Sequence, residues 1–484
     1  PFLNGGLFEC LDKRVDGQDV RIDGFSDRPD NPLRVPDELF WGEERTIDLN
    51  ETYGTSGKGY KVRGLIETLN RYKFTITENT PIEEEIALDP ELLGKVFENL
   101  LAAYNPETGT TARKQTGSFY TPREIVNYMV DESLLAYLQT KVSENENLTG
   151  LKDLSGLATE QDLTGFKNLS GLEERLRHLF AYNEETPKFN EAEKALLIDA
   201  IDHVNILDPA CGSGAFPMGI LHKLVFILGK LDPHNEQWKE RQIEPMRAAI
   251  RAALAIPQTN IRARAVEELE EQIAAIEQAF THNELDYGRK LYLIENCIYG
   301  VDIQPVAVQI AKLRFFISLV VDQRLNDHAP NRGILPLPNL ETKFVAANTL
   351  LGIEKPKQLA LRNPEITAKE KELAEVRSKH FRARTPQTKE KWRLEDKRLR
   401  GEISALLQKD GFPNETTTKL AHWDPYNQNA SADFFDMEWM FGLEDGFDVV
   451  IGNPPYVRQE KIKELKAALQ KQYTCYTGVA DLYV

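Results

Sequence analysis

The chain of 484 residues has 41% hydrophobic and 28% charged residues and a formal net charge of −17. This composition predicts a soluble globular protein, and the length predicts about three domains. The acidic balance excludes a protein whose overall charge attracts nucleic acid, because phosphate contacts supply most of non-specific affinity. A DNA-binding face must therefore be a local basic surface, or it must lie in a part of the protein outside this sequence. Since Pro1 is not a natural start, we expect chain before it.

Membrane insertion and metal binding find no support in the sequence. The apolar stretches 221–231 and 310–321 contain Lys or Arg, and neither reaches the ~18 residues of a membrane span. The four cysteines are scattered, without a C-x-x-C pair: Cys10, Cys211, Cys297 and Cys475. This pattern argues against a zinc site or a disulfide framework and predicts a protein of the reducing cytoplasm.

The chain is predicted to contain four regions in order. They are a loop-rich segment over 1–85, a helical region over 86–142, a spacer over 143–195, and an α/β domain over 196–484 with insertions at about 236–285 and 355–425. The spacer carries a short duplication, because LTGLKDLSGL returns as LTGFKNLSGL. Two copies are too few for a solenoid.

The helical region contains two start signals. Asp89-Pro90 precedes apolar residues at helical spacing up to Tyr104. In GSFYTP, Thr121 is predicted to cap the next helix, with Pro122 at its first position and Glu124 closing a capping box. The loop before this helix offers backbone N–H groups at a helix N-terminus, which can hold a carboxylate. A capped helix without a ligand is the alternative.

A strand, a glycine loop and a helix begin the α/β domain. The strand over 204–207 leads into DPACGSGAF, and a helix over 220–228 is predicted to end at Gly229. Gly212 and Gly214 allow the backbone to turn tightly and approach a ligand, and Asp208 ends the strand. This order is typical of a doubly wound parallel fold.

Two further strands are predicted to end in polar residues. The strand over 298–301 ends at Asp302, where an acidic residue can accept both hydroxyls of a ribose. The alternative for Asp302 is a helix N-cap. The strand over 343–347 ends at Asn348.

The segment 355–410 is predicted to be helical, and it carries 16 Lys and Arg against 9 Asp and Glu. It is the one markedly basic segment of an acidic chain. A DNA-contacting or partner-contacting arm and a solvated helical hairpin are both open interpretations.

The fourth strand is the β-branched run Val449–Ile451 in FDVVIGNPPY. It breaks at Gly452 into Asn453, Pro454, Pro455 and Tyr456. Two prolines stiffen this turn and remove two N–H donors. It therefore presents an amide, carbonyl acceptors and an aromatic ring, which suit a flat heterocycle with an amino group. A plain proline turn after a core strand is the alternative.

Taken together, GSFYTP, DPACGSGAF, GVDIQP and FDVVIGNPPY resemble, in this order, the motifs of adenine-specific DNA methyltransferases of the NPPY class. The methyltransferase part of type IIG restriction–modification enzymes is most similar, over roughly residues 86–484. The resemblance implies an α/β, doubly wound, Rossmann-like methyltransferase domain with an N-terminal helical region and helical insertions. It also implies S-adenosylmethionine as cofactor and methylation of the exocyclic amino group (N6) of adenine in DNA, in the bacterial cytoplasm.

The resemblance also assigns roles to single residues. The residues implied to hold the methionine end of the cofactor are Phe119, Tyr120 and Thr121. Those implied to line the cofactor are Asp208, Ala210, Gly212 and Gly214, with Asp302 at the ribose and Asn348 near the adenine of the cofactor. The catalytic turn that holds the target adenine is Asn453, Pro454, Pro455 and Tyr456.

The sequence also departs from the family pattern. Only 28 residues follow Tyr456, whereas the family has three further strands and a target-recognition domain there, so the domain is expected to be truncated. Double-stranded DNA with a flipped adenine is the implied partner, with nuclease and recognition domains expected outside this chain. A protein-glutamine methyltransferase and a non-catalytic subunit that keeps the fold are the alternatives.

Overall fold

The computed structural model describes residues 12–15, 18–21, 36–50, 56–69, 71, 121–149, 169–183, 187–255, 258–282, 285–355 (without 325, 327, 329 and 336), 363–455 and 465–474. The chain divides into two compact units, one over residues 8–93 and the other over residues 94–484 with residues 1–7. The helix predicted over 89–104 and most of the internal duplication lie outside the described residues.

The unit over residues 8–93 contains two short antiparallel pairs of strands. The first pair is β1 (Asp12–Val15) with β2 (Gln18–Arg21), and the second is β3 (Arg45–Ile47) with β4 (Tyr60–Val62). In the sequence, the short helix α1 (Glu38–Trp41) precedes the second pair, and the short helix α2 (Leu65–Leu69) follows it. None of the sequence-predicted site residues belongs to this unit.

The second unit is built on a four-stranded parallel sheet, as the sequence predicts. Its strands are β5 (Ile206–Asp208), β6 (Ile298–Asp302), β7 (Phe344–Ala346) and β8 (Val449–Val450). The spatial order is β7-β6-β5-β8, and every pairing is parallel. The chain thus runs outward from β5 to β7 and then returns to the other side of β5. Where the strand order reverses, open α/β sheets form a crevice outside the carboxyl ends.

The described part of the second unit also contains many helices. In chain order they are α3 (Arg123–Thr149), α4 (Leu169–Phe180), α5 (Glu191–Asp202), α6 (Ala215–Leu231), α7 (Glu236–Ala253), α8 (Thr259–His282), α9 (Leu285–Asn296), α10 (Pro305–Val321), α11 (Pro364–Phe381), α12 (Pro386–Lys409), α13 (Asn414–His422), α14 (Met437–Phe441) and α15 (Lys466–Gln472). In the described part of the chain, none of the helices has the length and apolar character required to span a membrane.

Both faces of the sheet are buried by helices. Ile206 belongs to a core that includes residues of α3, α6 and α10, while its neighbour Leu207 belongs to a second core with residues of α11 and α12. Successive strand residues point to opposite faces, so a sheet with two cores has helices on both sides. The predicted α/β class is confirmed at this level.

The prediction that the first helix of the domain ends at Gly229 is wrong. Gly229 lies inside α6, which continues to Leu231. A Cβ at Gly229 would come 3.4 Å from the guanidinium of Arg289, so the glycine provides room for that side chain. The helix ends instead at Asp232, whose carboxylate accepts the N–H groups of Glu236 and Trp238 and so starts α7. A side chain that can cap the following helix favours the end of α6 there.

The basic segment folds as the hairpin α11–α12, and many of its cations are engaged within the protein. Lys389 and Arg400 are only 2% exposed. Both carboxylate oxygens of Asp396 are bonded to guanidinium groups, with Oδ1 2.9 Å from Nε of Arg377 and Oδ2 2.6 Å from Nε of Arg400. Buried and paired cations are not available to phosphates, which argues against a DNA contact by these residues. The hairpin is also not simply solvated, because it buries these charged side chains.

Candidate active site

Polar residues from four strand ends meet at the carboxyl edge of the parallel sheet. Asp208 ends β5, Asp302 ends β6, Asn348 follows β7, and Asn453 follows β8. Parallel strands place their carboxyl ends on the same edge. The four strand ends therefore gather these polar residues on one edge of the sheet.

The glycine loop after β5 has the backbone geometry that its glycines allow. Gly212 has a φ of 52° and Gly214 a φ of 86°, a left-handed region that disfavours residues with a Cβ. The loop is tied to β6 because the N–H of Cys211 donates to the carbonyl of Val301 at 2.8 Å. A Cβ on Gly214 would come 3.0 Å from the Cβ of Ala311 in α10, so this glycine also permits close packing.

The carboxylate of Asp302 joins β6 to this loop. Its Oδ2 accepts the N–H of Gly212 at 2.9 Å, and its Oδ1 accepts the N–H of Gln304 at 2.8 Å. Gln304, rather than Asp302, occupies the N-cap position of α10. The side chain is partly exposed, and it is held at the rim where a ligand on the glycine loop would lie.

Asp208 is buried at the centre of this edge, with an exposed fraction of 1%. Its Oδ1 accepts the N–H of Ala210 at 3.0 Å, and its Oδ2 has no hydrogen-bond partner within the described residues. Burial raises the pKa of this carboxyl well above its usual range, and the nearby charge of Asp302 acts in the same direction. Buried unpaired polar atoms are uncommon in proteins and often mark a place where a ligand or water completes the bonding.

Gly452 is a site residue that the sequence reasoning did not single out. A Cβ on Gly452 would lie 2.5 Å from Oδ1 of Asp208 and 3.4 Å from Cδ of Pro209. Only a glycine lets the turn after β8 pass this close to the end of β5. A glycine between a buried β-branched run and two prolines is the signal that could have found it.

Asn453 and Thr121 come together although 332 positions separate them. Nδ2 of Asn453 donates to Oγ1 of Thr121 at 3.1 Å. Thr121 is 8% exposed and directly precedes Pro122, whose carbonyl accepts the first N–H groups of α3. Among the described residues, its hydroxyl bonds to Asn453 and to no N–H of the helix, so the predicted capping bond is absent.

For several predicted site residues the structure gives little or no detail. Pro454 and Pro455 are partly buried at the end of a described segment. Phe119, Tyr120 and Tyr456 lie outside the described residues, and their roles stay predictions.

Asn348 is turned toward its own loop, because its Oδ1 accepts the N–H of Leu350 at 3.1 Å. The next residue, Thr349, donates its hydroxyl to the carbonyl of Pro209 at 3.1 Å and so ties the end of β7 to the end of β5.

Two exposed apolar side chains complete the rim beside Asp302. Ile303 is 57% exposed and Val306 is 53% exposed. Exposed aliphatic residues next to a carboxylate suit a ligand with one apolar and one polar part. The sequence signal for this feature is an apolar residue directly after the acidic residue that ends a strand. The sequence prediction did not include it.

A cavity of about 600 Å³ opens at the opposite, amino edge of the sheet, next to residues that precede strands, such as Asn205 and Lys343. Three carboxylates of its lining have oxygens within 4.8 Å of one another: Glu370, Glu438 and Glu444. Its lining includes none of the predicted site residues. Cavity size alone therefore does not identify the site in this fold.

The fold is an α/β fold in which polar residues gather at the carboxyl edge, where the strand order reverses. The chain is similar to methyltransferases of restriction–modification systems, as two comparisons show. Residues 296–484 match the Eco57I restriction-modification methylase family. That match covers β6, β7 and β8 and the sequence 453–456.

A curated relative extends the likeness toward the N-terminus. It is a protein of Methanocaldococcus jannaschii described as a candidate type II restriction enzyme and methyltransferase, 29% identical over 355 residues. The alignment covers 73% of this chain and 21% of the relative. The chain thus spans about a fifth of the length of that protein. The resemblance to restriction–modification methyltransferases is confirmed by both comparisons.

Proposed function

We propose that this chain is the methyltransferase part of a restriction–modification enzyme and transfers a methyl group from S-adenosylmethionine to the N6 amino group of adenine in DNA. The observation that carries the proposal is the hydrogen bond between Asn453 and Thr121, together with the close approach of Gly452 to Asp208. These contacts hold the proposed target-binding turn against the proposed cofactor residues. A transferase needs its two substrates side by side, because alignment for the transfer step supplies much of the rate.

The carboxyl-edge residues fit S-adenosylmethionine. The left-handed glycines bring the backbone of Gly212 and Gly214 to the ligand side, and Asp302 at the end of β6 is suited to the hydroxyls of the ribose. Ile303 offers an exposed aliphatic surface for the flat base of the cofactor. Oδ2 of Asp208, which has no hydrogen-bond partner among the described residues, can bond to a polar group of the ligand. The doubly wound, Rossmann-like class is part of this proposal.

The target adenine is proposed to bind at the turn after β8. The bound cofactor supplies an activated sulfonium methyl group, whereas the amino nitrogen of adenine is a weak nucleophile because its lone pair is conjugated with the ring. The side-chain oxygen of Asn453 and the carbonyl of Pro454 accept the two amino hydrogens and favour a localised lone pair. Tyr456 stacks on the base after it leaves the duplex, a contact worth ~1–3 kcal/mol.

The biological setting is a further part of the proposal. DNA is the expected substrate, and nuclease and target-recognition elements are expected in other parts of the protein. The much longer relative is described as both a restriction enzyme and a methyltransferase. Because the substrate is DNA, the activity is assigned to the cytoplasm. No metal ion is required for the transfer step, since the methyl group of the cofactor is already activated.

Methyl transfer with product analysis tests this function. The full-length protein is incubated with tritiated S-adenosylmethionine and duplex DNA, and the DNA is then digested to nucleosides. We expect label on N6 of adenine, and we expect Asn453→Ala to lower the transfer rate far more than the affinity for the cofactor. Label on cytosine, or on the glutamine of a co-purifying protein, would overturn the proposal.

A further inference from the structure

We propose that Tyr473, at the end of α15, is a positioning residue of the cofactor site, which holds Asn348 in place through the backbone of Leu350. This inference rests on the proposed function, in which Asn348 lies near the adenine of the cofactor. The evidence is a chain of two hydrogen bonds. The hydroxyl of Tyr473 donates to the carbonyl of Leu350 at 3.1 Å, and the N–H of Leu350 donates to Oδ1 of Asn348 at 3.1 Å.

The direction of both bonds is fixed by the groups that make them. A backbone carbonyl can only accept a hydrogen bond, and a backbone N–H can only donate one. The hydroxyl of Tyr473 is therefore the donor of the first bond. The side-chain oxygen of Asn348, and not its NH₂ group, is the acceptor of the second. Leu350 thus connects the tyrosine hydroxyl to one defined orientation of the amide.

The end of α15 contacts the loop after β7 (residues 348–354) at more than one point. Gly352 donates its N–H to Oε1 of Gln472 at 3.4 Å, and its carbonyl accepts from Nε2 of the same side chain at 3.3 Å. An ion pair joins Lys471 to Glu354. The two amide bonds are longer than the usual length of about 2.9 Å, and an exposed ion pair contributes little. The bond of Tyr473 is therefore the firmest of these contacts.

The backbone of the same loop is tied to the cofactor side of the sheet. The N–H of Asn348 donates to the carbonyl of Ala432 at 2.9 Å. The hydroxyl of Thr349 donates to the carbonyl of Pro209, in DPACGSGAF, at 3.1 Å. These bonds place the backbone of Asn348, whereas the orientation of its side chain depends on Leu350.

Ordering of the Asn348 side chain before a ligand arrives should raise the affinity for that ligand. A side chain that is already held loses little rotational freedom on binding, so less of the interaction energy is spent on ordering it. Without the hydroxyl of Tyr473, Leu350 has more freedom and the amide of Asn348 is held less firmly. The expected consequence is weaker binding of the adenine part of the cofactor.

Calorimetry with two ligands tests the inference. In the full-length protein, Tyr473→Phe removes the hydroxyl and keeps the ring. We expect the dissociation constants for S-adenosylhomocysteine and for adenosine both to rise about three- to tenfold, the scale of one side-chain hydrogen bond. Because adenosine lacks the amino-acid part of the cofactor, equal factors assign the effect to the adenosine end. KM for S-adenosylmethionine should rise similarly, while kcat at saturating cofactor stays within about twofold of the wild-type value.

Tyr292→Phe is the matched control. The hydroxyl of Tyr292 donates to the carbonyl of Asp202 at the same distance of 3.1 Å. Both residues belong to helices that precede strands, α9 and α5, and so lie toward the amino edge of the sheet. This variant loses the same kind of bond away from the cofactor site, so both dissociation constants should keep their wild-type values.

A double-mutant cycle tests whether Tyr473 acts through Asn348. In an Asn348→Ala background, Tyr473→Phe should change the dissociation constant for S-adenosylhomocysteine less than about twofold, because the side chain that it positions has been removed. A full effect in that background would show that the tyrosine acts on another part of the site and would overturn the inference.

Two further results would contradict the role of Tyr473. Wild-type dissociation constants for Tyr473→Phe would show that the loop holds Asn348 without the hydroxyl. Equal losses of affinity in Tyr473→Phe and Tyr292→Phe would assign the effect to general stability. A wild-type protein that binds neither ligand, or that places no label on adenine, would instead overturn the proposed function.

Discussion

Oδ1 of Asp208 lies 2.5 Å from the position that a Cβ on Gly452 would occupy. One residue ends β5, and the other begins the turn after β8. Parallel pairing aligns Leu207 with Val450, so the two strand ends leave the sheet side by side. The turn that carries Asn453 is therefore seated directly on the end of the strand that leads into the glycine loop. The proposed target and cofactor sites share this contact.

The first prediction concerns that contact. Gly452→Ala places a methyl group against a buried carboxylate, so either the turn or Asp208 must move. We expect methyl transfer to fall roughly 100-fold, since a displacement of about 1 Å at a reacting group has that effect. The measurement is the transfer rate at saturating cofactor and DNA.

Gly401→Ala is the matched control for this prediction. Gly401 lies inside α12, and no described atom outside its own helical turns lies within 4 Å of its added Cβ. It should keep the wild-type rate and gain about 0.5–1 kcal/mol of stability, because alanine favours a helix interior over glycine. A Gly452→Ala protein with wild-type transfer would show that the turn is free to shift.

The sequence predicted the parts of the site that depend on local chemistry. A β-branched run located the strand at Val449–Ile451, and the glycines of DPACGSGAF predicted the tight loop whose left-handed φ values the structure contains. The polar residues that follow the strands were also predicted from the sequence, and parallel strands place them on one edge. These inferences need only near neighbours in the chain.

Long-range contacts could not be predicted in the same way. The bond between Thr121 and Asn453 depends on how α3 packs against α6 and on how β8 enters the sheet. The hydroxyl of Thr121 looked like a helix cap because a Thr-Pro pair favours one locally. Tertiary packing gave it another partner. In the same way, net basic charge could not reveal that Lys389 and Arg400 are buried.

The second prediction concerns the α11–α12 hairpin. Asp396 is fully buried between Arg377 and Arg400. Asp396→Asn removes the counter-charge of the buried Arg377 and leaves the buried Arg400 with only the half-exposed Asp424, 3.9 Å away. We therefore expect a loss of about 3–5 kcal/mol in the free energy of unfolding. Urea denaturation followed by tryptophan fluorescence measures it.

The neighbouring exposed pair provides the control. Glu395 lies 2.6 Å from Arg398. The side chain of Glu395 is 34% exposed and that of Arg398 is 44% exposed. Glu395→Gln should cost less than about 1 kcal/mol, because water screens a surface pair. Equal losses for the two variants would contradict the assignment of Asp396 to the core of the hairpin.

The third prediction is a pH dependence of stability that arises from His380. Burial lowers the pKa of this histidine from 6.5 to about 4, and Nε2 accepts a hydrogen bond from Nε of Arg393 at 3.2 Å. The unfolded chain binds a proton below about pH 6.5, whereas the folded protein resists protonation until about pH 4. Stability from this group is therefore complete above pH 6.5 and falls as the pH decreases through this window.

The comparison with His380→Gln isolates this contribution. Between pH 8 and pH 5 the wild-type protein should lose roughly 2 kcal/mol more unfolding free energy than the variant. Urea denaturation at the two pH values measures both losses. If the two proteins lost the same amount, the acid sensitivity would belong to other groups.

The last prediction separates two functions of Asp302. Its Oδ2 orders the glycine loop through Gly212, and the same carboxylate is proposed to hold the ribose of the cofactor. Asp302→Ala should weaken the binding of S-adenosylhomocysteine about 10- to 100-fold, because hydrogen bonds to a charged group are lost.

Calorimetry with S-adenosylhomocysteine and its 2′-deoxy analogue divides that loss between the two functions. If Asp302 holds the ribose, the wild-type protein prefers the ribose form, and the variant binds both ligands with similar affinity. If it only orders the loop, both ligands weaken equally and the preference persists in the variant. Asp436→Asn, which changes a carboxylate that accepts the N–H of Trp439 in α14, should alter neither affinity.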